Sequence, residues 1–404
     1  MPRVSSEFIR LSCLYAAIFI VNGIQLPYWP VWLESRGMGP EEIGILSGAL
    51  YWAKAVTNPT IGTIIDTRRN HLMMMRLLGV SSLLISLFYL GVDGFWALLV
   101  IGLLGGSLFS GITPVAEVIS MDHASKGRLD YARVRLWGSI SFMAIAYILG
   151  EVLKGSFLGF VPEPEIILWF FLGGLLITVA STWFAPHFEQ TSLPQNAVQP
   201  QHREPWSGLL KDRNFLIFLV FSAAIQGSHA VYYAFGTLNW KSQGLGEDVI
   251  GMFWAIGVLA EIILFAFSAR LFSKANPSVM MIAAAVAGLI RWPLMIVTTN
   301  IFAVALLQTL HAFTFGAAHL AAMHYITANT HPGLVARAQT VYSAVAIGLG
   351  SGLLMIVAGH LYKDFAGWAY LAMAGLAGVA LVSSLELYRS SSLRRPTEAV
   401  NEAT

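Results

Sequence analysis

The sequence has almost no cysteine. A single cysteine, Cys13, occurs among 404 residues, so no disulfide can form within the chain and no cluster of thiolates can hold a metal. No set of histidines and acidic residues falls at metal-ligand spacing either, and we predict no metal site. These absences exclude disulfide-stabilised domains and zinc modules.

Charged residues are also scarce. They make up 11% of the chain, whereas soluble domains average about 25%. Hydrophobic residues make up 56%, the mean hydropathy is +0.67, and the net charge of +2 gives no indication of nucleic-acid binding. So little loop sequence remains that a soluble catalytic domain has no room. The composition therefore indicates a polytopic membrane protein.

Apolar stretches of roughly 20 residues, the length that crosses about 30 Å of hydrocarbon, follow one another with short polar breaks. We predict an all-α polytopic membrane protein in which twelve transmembrane spans form two pseudo-symmetric bundles of six. The predicted spans, numbered 1 to 12 in chain order, cover residues 8–33, 42–65, 71–92, 95–120, 131–154, 165–185, 213–241, 248–272, 278–298, 301–327, 336–361 and 366–388.

The spans divide the chain into an N-terminal bundle, residues 1–185, and a C-terminal bundle, residues 212–389. A polar linker with several prolines, 186–211, joins them, and 390–404 form a polar tail. Lysine and arginine are concentrated in the loops after even-numbered spans and at the termini. By the positive-inside rule, we expect both termini, the linker and the tail to be cytoplasmic.

The chain also contains an internal repeat. Residues 37–44 return in the second half as residues 244–251, and each copy is a glycine-rich polar turn that opens a long apolar span. Ten residues past the last glycine stands one charge, Lys54 in the first copy and Glu261 in the second. Parallel repeats with charges near the bilayer midplane are typical of secondary transporters. Chance similarity between helices rich in glycine and alanine is the alternative.

Ionisable side chains within the spans are candidates for function, because each one is costly in hydrocarbon and needs a partner. Lys54 and Glu261 lie about 15 Å of helix rise from the start of their spans, close to the midplane. The other candidates are Glu117, Arg135, Arg291 and His311, with His229 and His319 as weaker additions.

The loop between spans 2 and 3 combines a glycine, an acid and two arginines, namely Gly62, Asp66, Arg68 and Arg69. This pattern resembles the loop motif of the major facilitator superfamily. Asp66 can accept hydrogen bonds from a helix N-terminus or an arginine and so latch the two halves in one state. An ordinary positive-inside turn is the alternative.

The stretch from Glu117 through Arg135 to Gly138 resembles the hairpin between spans 4 and 5 of the lactose permease. The start of span 5 also resembles that of bacterial phenylpropionate permeases. In this branch of proton symporters an acid and an arginine hold the substrate, and an aromatic residue two turns further stacks on it. The resemblance implies that Glu117 and Arg135 bind substrate and that Phe142 stacks on it.

The same resemblance extends to the second half. Arg291 and His311 match the permease's arginine on span 9 and histidine on span 10, and Glu261 matches its acid on span 8 within one turn. It implies that Arg291 takes part in both substrate binding and proton coupling. The permease's proton-carrying acid on span 10, however, corresponds to Thr314, and its lysine to Gln308.

A threonine cannot carry a proton at physiological pH, so the permease's mechanism of proton coupling cannot apply unchanged to this chain. Glu261 is then the best remaining proton carrier, and His311 is the second. In the alternative, Glu261 forms a structural pair with Arg291 or Lys54 that only holds helices together. Likewise, Glu117 and Arg135 can simply brace their hairpin.

We expect a proton-coupled symporter that moves a small organic solute by alternating access. The solute is an aromatic carboxylate such as a phenylpropionate, or a sugar. A proton-antiport exporter of amphipathic compounds is the alternative, and an integral-membrane enzyme is a distant one. We expect no cofactor, and as partners only solute, proton and lipid bilayer, with no nucleic acid and no obligate protein partner. The resemblance places the protein in a bacterial inner membrane.

Overall fold

The computed structural model consists of long helices joined by short loops. It describes residues 5–67, 70–157, 159–188, 207–272 and 275–401. Within these ranges, ten helical stretches are long and apolar enough to cross a membrane. One of them, Val335–Ser390, contains spans 11 and 12 together, and span 2 falls outside the ten because residues such as Lys54 and Asn58 make it more polar. The described residues therefore hold all twelve predicted spans, and the predicted fold class is confirmed.

The helix bounds agree with the predicted spans to within a few residues at most ends. Spans 1 to 6 are Ser6–Ser35, Pro40–Thr67, His71–Ser86 with a 3-10 turn Leu87–Leu90, Phe95–Ser110 with Ile112–Ser125, Tyr131–Lys154 and Ile166–Phe184. Spans 7 to 9 are Arg213–Gly227 with Ala230–Ser242, Glu247–Phe272 and Pro277–Val297. Spans 10 to 12 are Ile301–Thr309 with Ala312–Ala317 and Ala318–Asn329, Val335–Tyr342 with Ser343–Gly350 and Ser351–Phe365, and Tyr370–Asn401 after a 3-10 turn Ala366–Ala369. The last helix thus continues beyond its predicted end into the stretch assigned to the tail.

Polar residues at the span ends satisfy backbone groups that a helix leaves unpaired. The Asp130 carboxylate accepts hydrogen bonds from the backbone N–H groups of Ala132 and Arg133 at the start of span 5. Asn276 and Asn300 cap spans 9 and 10 in the same way. Because lipid offers no hydrogen-bond partners, helices with satisfied ends are one of the few structures that can cross it.

An even number of spans places both termini at one end of the molecule, which we call the termini end. At the opposite end, Arg36 forms ion pairs with Asp93 (2.6 Å) and Glu165 (2.8 Å) and so joins three loops of the N-terminal bundle. Burial alone would lower the pKa of Arg36, but hydrogen bonds to the two carboxylates raise it overall. The clamp holds the N-terminal bundle together as one body at this end.

Glycines let the two bundles approach at the opposite end. Gly44 and Gly48 of span 2 pack directly on Gly359 and Gly352 of span 11. A Cβ atom on Gly44 would stand 2.8 Å from the Cα of Gly359 and 2.7 Å from the carbonyl oxygen of Met355, which is closer than real Cβ contacts allow. Only residues without a side chain fit this contact.

The repeat produces a second contact of the same kind between spans 5 and 8. Gly251 packs on the backbone of Ala146, whose carbonyl oxygen also accepts a hydrogen bond from the Tyr28 hydroxyl (2.7 Å). Ion pairs cross between the bundles beside both contacts, from Lys154 to Asp248 (2.7 Å) and from Lys363 to Glu41 (2.9 Å). The opposite end is therefore closed.

The termini end contains a cavity of about 650 Å³. It lies between the ends of spans 2 and 4 and reaches Phe188 at the start of the linker. Its walls are Gly62, Pro114, Glu117, Val118, Met121, Asp122, Ser125 and Phe188. Together with the closed opposite end, this cavity indicates a state that is open toward the termini end.

Replacing Gly44 with leucine is expected to shift the protein away from this state. Overpacking of a tight contact costs about 1–3 kcal/mol, which changes a two-state ratio about 5- to 150-fold. In a Cys13→Ser background, Val118→Cys reports on the cavity through its labelling rate with a membrane-impermeant maleimide in inside-out vesicles. We expect Gly44→Leu to slow that labelling severalfold.

Gly375→Leu is the matched control, because a Cβ at Gly375 meets no atom within 4 Å. Unchanged labelling in Gly375→Leu, with slower labelling in Gly44→Leu, supports the role of the glycine contact. Equal rates in both variants would contradict it.

Candidate functional site

A fully buried arginine lies at the centre of the C-terminal bundle. Arg291 on span 9 has no solvent-exposed surface. Its Nη2 donates a hydrogen bond to Oε1 of Gln308 (2.8 Å), and its Nη1 donates to Oγ1 of Thr314 (3.2 Å) and to Nδ1 of His311 (3.3 Å). All three partners are on span 10, so this cation ties two spans together.

Aromatic faces complete the surroundings of Arg291. The guanidinium carbon lies 4.5 Å from the ring centre of Tyr232 and 4.6 Å from that of Trp292. The Nε of Arg291 has no hydrogen-bond partner among the described residues. Buried charges are usually paired with an opposite charge, but here neutral acceptors and ring faces stabilise the cation.

These hydrogen bonds fix the protonation pattern of His311. A guanidinium can only donate, so Nδ1 of His311 must accept, and the neutral ring carries its hydrogen on Nε2. This Nε2 faces Oε2 of Glu261 at 3.7 Å. The separation exceeds a hydrogen bond, and a small movement of either side chain closes it. The site thus brings Arg291, His311 and Glu261 into line, with a hydrogen bond between the first two and a gap of 3.7 Å between the last two.

His229 on span 7 forms a second branch of the same network. Its Nδ1 lies 3.0 Å from the carbonyl oxygen of Ile225, which can only accept, and its Nε2 lies 3.0 Å from Oγ1 of Thr314. Nε2 therefore accepts the hydroxyl hydrogen of Thr314, while the hydroxyl oxygen accepts from Arg291. Sequence reasoning ranked His229 only as a weaker candidate, and the structure places it within the network.

The backbone of spans 8 and 10 permits these contacts. Span 10 contains a π-helical turn, Ala312–Ala317, immediately after His311, and such turns are frequent at functional sites. Gly257 faces His311, and a Cβ on Gly316 would stand 3.5 Å from Cγ of Glu261. These glycines allow the two spans to approach closely enough for Glu261 to reach His311.

In the N-terminal bundle, Arg135 packs on aromatic rings rather than on an acid. Its guanidinium carbon lies 4.2 Å from the ring centre of Phe19 and 5.3 Å from that of Tyr15, and its buried Nη1 has no hydrogen-bond partner in the described chain. Glu117 lines the cavity but forms no ion pair with Arg135 in the part of the chain that the structure describes.

Several predicted site residues lie apart from this network. Phe142 is 7% exposed and packs in the core of the N-terminal bundle, while Tyr15 and Phe19 are the aromatic neighbours of Arg135. Lys54 lies 5.8 Å from the ring centre of Tyr51. Glu261 is ion-paired with neither Lys54 nor Arg291 among the described residues, because His311 occupies the position beside it.

The predicted gating loop is described only in part. Gly62 lines the cavity at the termini end. The side chain of Asp66 and the residues Arg68 and Arg69 lie outside the described part of the chain. Their role in a latch stays a prediction.

Comparison with known proteins relates the chain to transporters. A family model described as the MFS_1 like family matches residues 8–372. A probable 3-phenylpropionic acid transporter of Escherichia coli (strain K12) is 33% identical over 377 residues, which cover 93% of this chain and 96% of that protein. A maltose permease of Geobacillus stearothermophilus is 22% identical over 356 residues, with 86% of each chain covered.

Solved structures share the fold. The nucleoside transporter NupG superposes with a TM-score of 0.79 at 16% identity, covering 95% of this chain and 99% of that one. A bacterial homologue of the human lysosomal transporter Spinster, in an inward-facing and unoccupied conformation, gives a TM-score of 0.67 at 14% identity, with 96% and 98% covered. At these identities the likeness concerns the fold alone.

The network predicts a specific cost for losing one hydroxyl. Thr314→Val keeps the shape of the side chain but leaves Nε2 of His229 and one hydrogen of Arg291 without a buried partner. We expect a loss of stability of about 1–3 kcal/mol, and partial recovery in Thr314→Ser. Thermal unfolding in detergent, followed by tryptophan fluorescence, measures the shift in midpoint.

Thr309→Val is the matched control on the same span, because the Thr309 hydroxyl donates only to the backbone carbonyl of Leu306 (2.7 Å). A lower midpoint in Thr314→Val alone is the expected result. The same shift in both variants would show that the buried network adds nothing to stability.

Proposed function

The chain belongs to the MFS_1 like family of major facilitator transporters and is a multi-pass membrane transporter, not an enzyme, and from this premise we propose that it is a proton-coupled symporter of a small organic solute. The observation that carries the proposal is the alignment of Arg291, His311 and Glu261. It places a carboxyl that can bind or release a proton 3.7 Å from His311, whose other ring nitrogen is bonded to the buried Arg291. An ionisable group inside the membrane with such neighbours is a candidate for a proton pathway.

Glu261 is the proposed proton carrier. Its side chain is 20% exposed, whereas that of His311 is 9% exposed and already bonded to Arg291, so Glu261 has better access to water. When Glu261 is ionised, it attracts the Nε2 hydrogen of His311. When Glu261 is protonated, this attraction weakens and spans 8 and 10 are freer to rearrange. This difference links the proton to the conformation.

The bundles are proposed to rock about the solute. With the termini end in the cytoplasm, the closed glycine contacts at the opposite end make the present state open to the cytoplasm. Opening at the other end requires spans 2 and 11, and spans 5 and 8, to separate. Residues 1–185 and 212–389 then act as the two moving bodies in a bacterial inner membrane, joined by the linker 186–211.

An aromatic carboxylate such as a phenylpropionate is the proposed solute. Support comes from the relative named as a probable 3-phenylpropionic acid transporter, which is more similar than the maltose permease. Arg135, with one unpaired nitrogen and aromatic rings beside it, suits the aromatic part of such a solute. In this proposal the proton gradient drives transport, and no cofactor takes part.

Glu261→Gln separates coupling from binding. Glutamine keeps the size of the side chain and its hydrogen-bonding capacity but cannot release a proton. In proteoliposomes, we expect solute counterflow to persist within about threefold while accumulation driven by an inward proton gradient falls at least about tenfold. Radiolabelled 3-phenylpropionate supplied on one side measures both quantities.

Glu247→Gln is the control on the same span. Glu247 pairs with Lys241 (3.1 Å) at the beginning of span 8, beside Gly150 of span 5, and lies outside the network. Accumulation by Glu261→Gln at the wild-type level would rule Glu261 out as the carrier. Accumulation lost equally in Glu247→Gln would point to a general defect of the span.

A further inference from the structure

Lys54 is an intramembrane cation with no ion-paired acid among the described residues. Its side chain is partly buried in the middle of span 2, ten residues past Gly44. The ring centre of Tyr51 lies 5.8 Å from its Nζ. A charged lysine inside the membrane carries a desolvation cost, and we expect an anion to offset it at some stage of the transport cycle.

The packing of span 2 shows which way Lys54 points. Gly48 and Ala55 contact Gly352 and Gly348 of span 11, which belongs to the other bundle. On a helical projection Lys54 lies about 100° from Ala55, on the arc that turns from span 11 toward span 4. Span 2 therefore presents Lys54 near the boundary between the bundles.

Two other residues confirm this direction. Leu50 packs on Gly106 of span 4 and lies about 40° from Lys54, so span 4 flanks the lysine on that side. Val56 is 70% exposed and lies about 200° from Lys54, on the outer face of the helix. Lys54 thus faces away from lipid, between span 4 of one bundle and span 11 of the other.

Two other cations near the middle of their spans, Arg291 and Arg135, have closer neighbours. Arg291 is fully buried and donates three hydrogen bonds within its own bundle. The guanidinium carbon of Arg135 lies 4.2 Å from the ring centre of Phe19 and 5.3 Å from that of Tyr15. In the described chain Lys54 has only the more distant ring of Tyr51 and no ion-paired acid.

We propose that Lys54 binds the carboxylate of the transported solute and that the site selects organic monocarboxylates with an apolar or aromatic body. The ring of Tyr51 beside the ammonium supplies a surface for that body. The carboxylate of the solute supplies the opposite charge that Lys54 does not find within the described protein. This inference rests on the proposed function, since it assigns the solute class of the same transporter.

The repeat gives this assignment a further basis. Lys54 and Glu261 occupy equivalent positions ten residues after Gly44 and Gly251. One bundle then presents a proton-binding acid, and the other presents an anion-binding base at the matching depth. A carboxylate and a proton that enter together bring no net charge, so neither position retains an unbalanced charge while the loaded protein changes conformation.

Binding to the purified full chain in detergent tests the inference without any proton gradient. The probes are 3-phenylpropionate and its neutral analogue 3-phenylpropanamide, measured by isothermal titration calorimetry. We expect Lys54→Met to weaken binding of the acid roughly 10- to 100-fold and to leave binding of the amide unchanged. Lys54→Arg keeps the charge and should bind the acid within about threefold of wild type.

Lys211→Met is the matched control, because Lys211 is an exposed lysine on the short helix before span 7. Thermal unfolding of each variant separates misfolding from lost binding, and Lys54→Arg gives a second route if Lys54→Met does not fold. Equal binding of the acid by wild type and Lys54→Met would overturn the inference. Equal weakening of acid and amide would overturn it too, because the lysine would then only shape the site.

The outcome remains separable from that of the proposed function. Proton-driven uptake of a neutral solute, with no binding of the acid to wild type, would refute the role of Lys54 and leave the symporter intact. Acid binding that depends on Lys54, without proton-driven uptake, would refute the symporter and leave the anion site standing.

Discussion

The cost of a charge in hydrocarbon is the constraint on which the rest of this structure depends. Arg291 is fully buried, and it is tolerated only because three acceptors of span 10 and two aromatic faces surround it. Those acceptors determine how spans 9 and 10 are oriented. His229 then brings span 7 to the same point through Thr314. The interior of the C-terminal bundle is organised around one cation.

The N-terminal bundle follows a different rule. Arg135 has aromatic neighbours and a nitrogen without a partner, and Lys54 has no anion beside it in the described chain. The C-terminal bundle therefore surrounds its buried cation with its own side chains. The N-terminal bundle leaves cationic groups available to bind a solute. Such a difference is expected where one bundle is internally satisfied and the bundle facing it binds the solute.

Hydropathy and the repeat were enough to predict the twelve spans, because crossing a bilayer imposes a length and a composition that the sequence displays directly. The residues of the site were partly predictable for the same reason, since intramembrane charges are few. The contacts between them were not. In the sequence, Gln308 and Thr314 were notable only because they replace a lysine and an acid of the lactose permease. In the structure, both accept hydrogen bonds from Arg291.

The reason is geometric. Which side chain meets which depends on the π-helical turn Ala312–Ala317 and on the approach of spans 8 and 10 at Gly257 and Gly316. Neither feature leaves a periodic signal in the sequence. The aromatic neighbours of Arg135 were missed likewise, because Tyr15 and Phe19 are distant in the chain and lie on span 1.

The glycine contacts at the closed end have a consequence for how mutations would be detected. Gly44 and Gly359 meet through backbone atoms, and the segments that carry them are helical on both sides of the contact. A larger residue there changes which conformation is populated while the helices themselves still form and insert. Such a substitution would yield a normally expressed, correctly inserted protein that transports poorly. A genetic screen for lost transport would therefore recover these glycines, whereas a screen for lost expression would not.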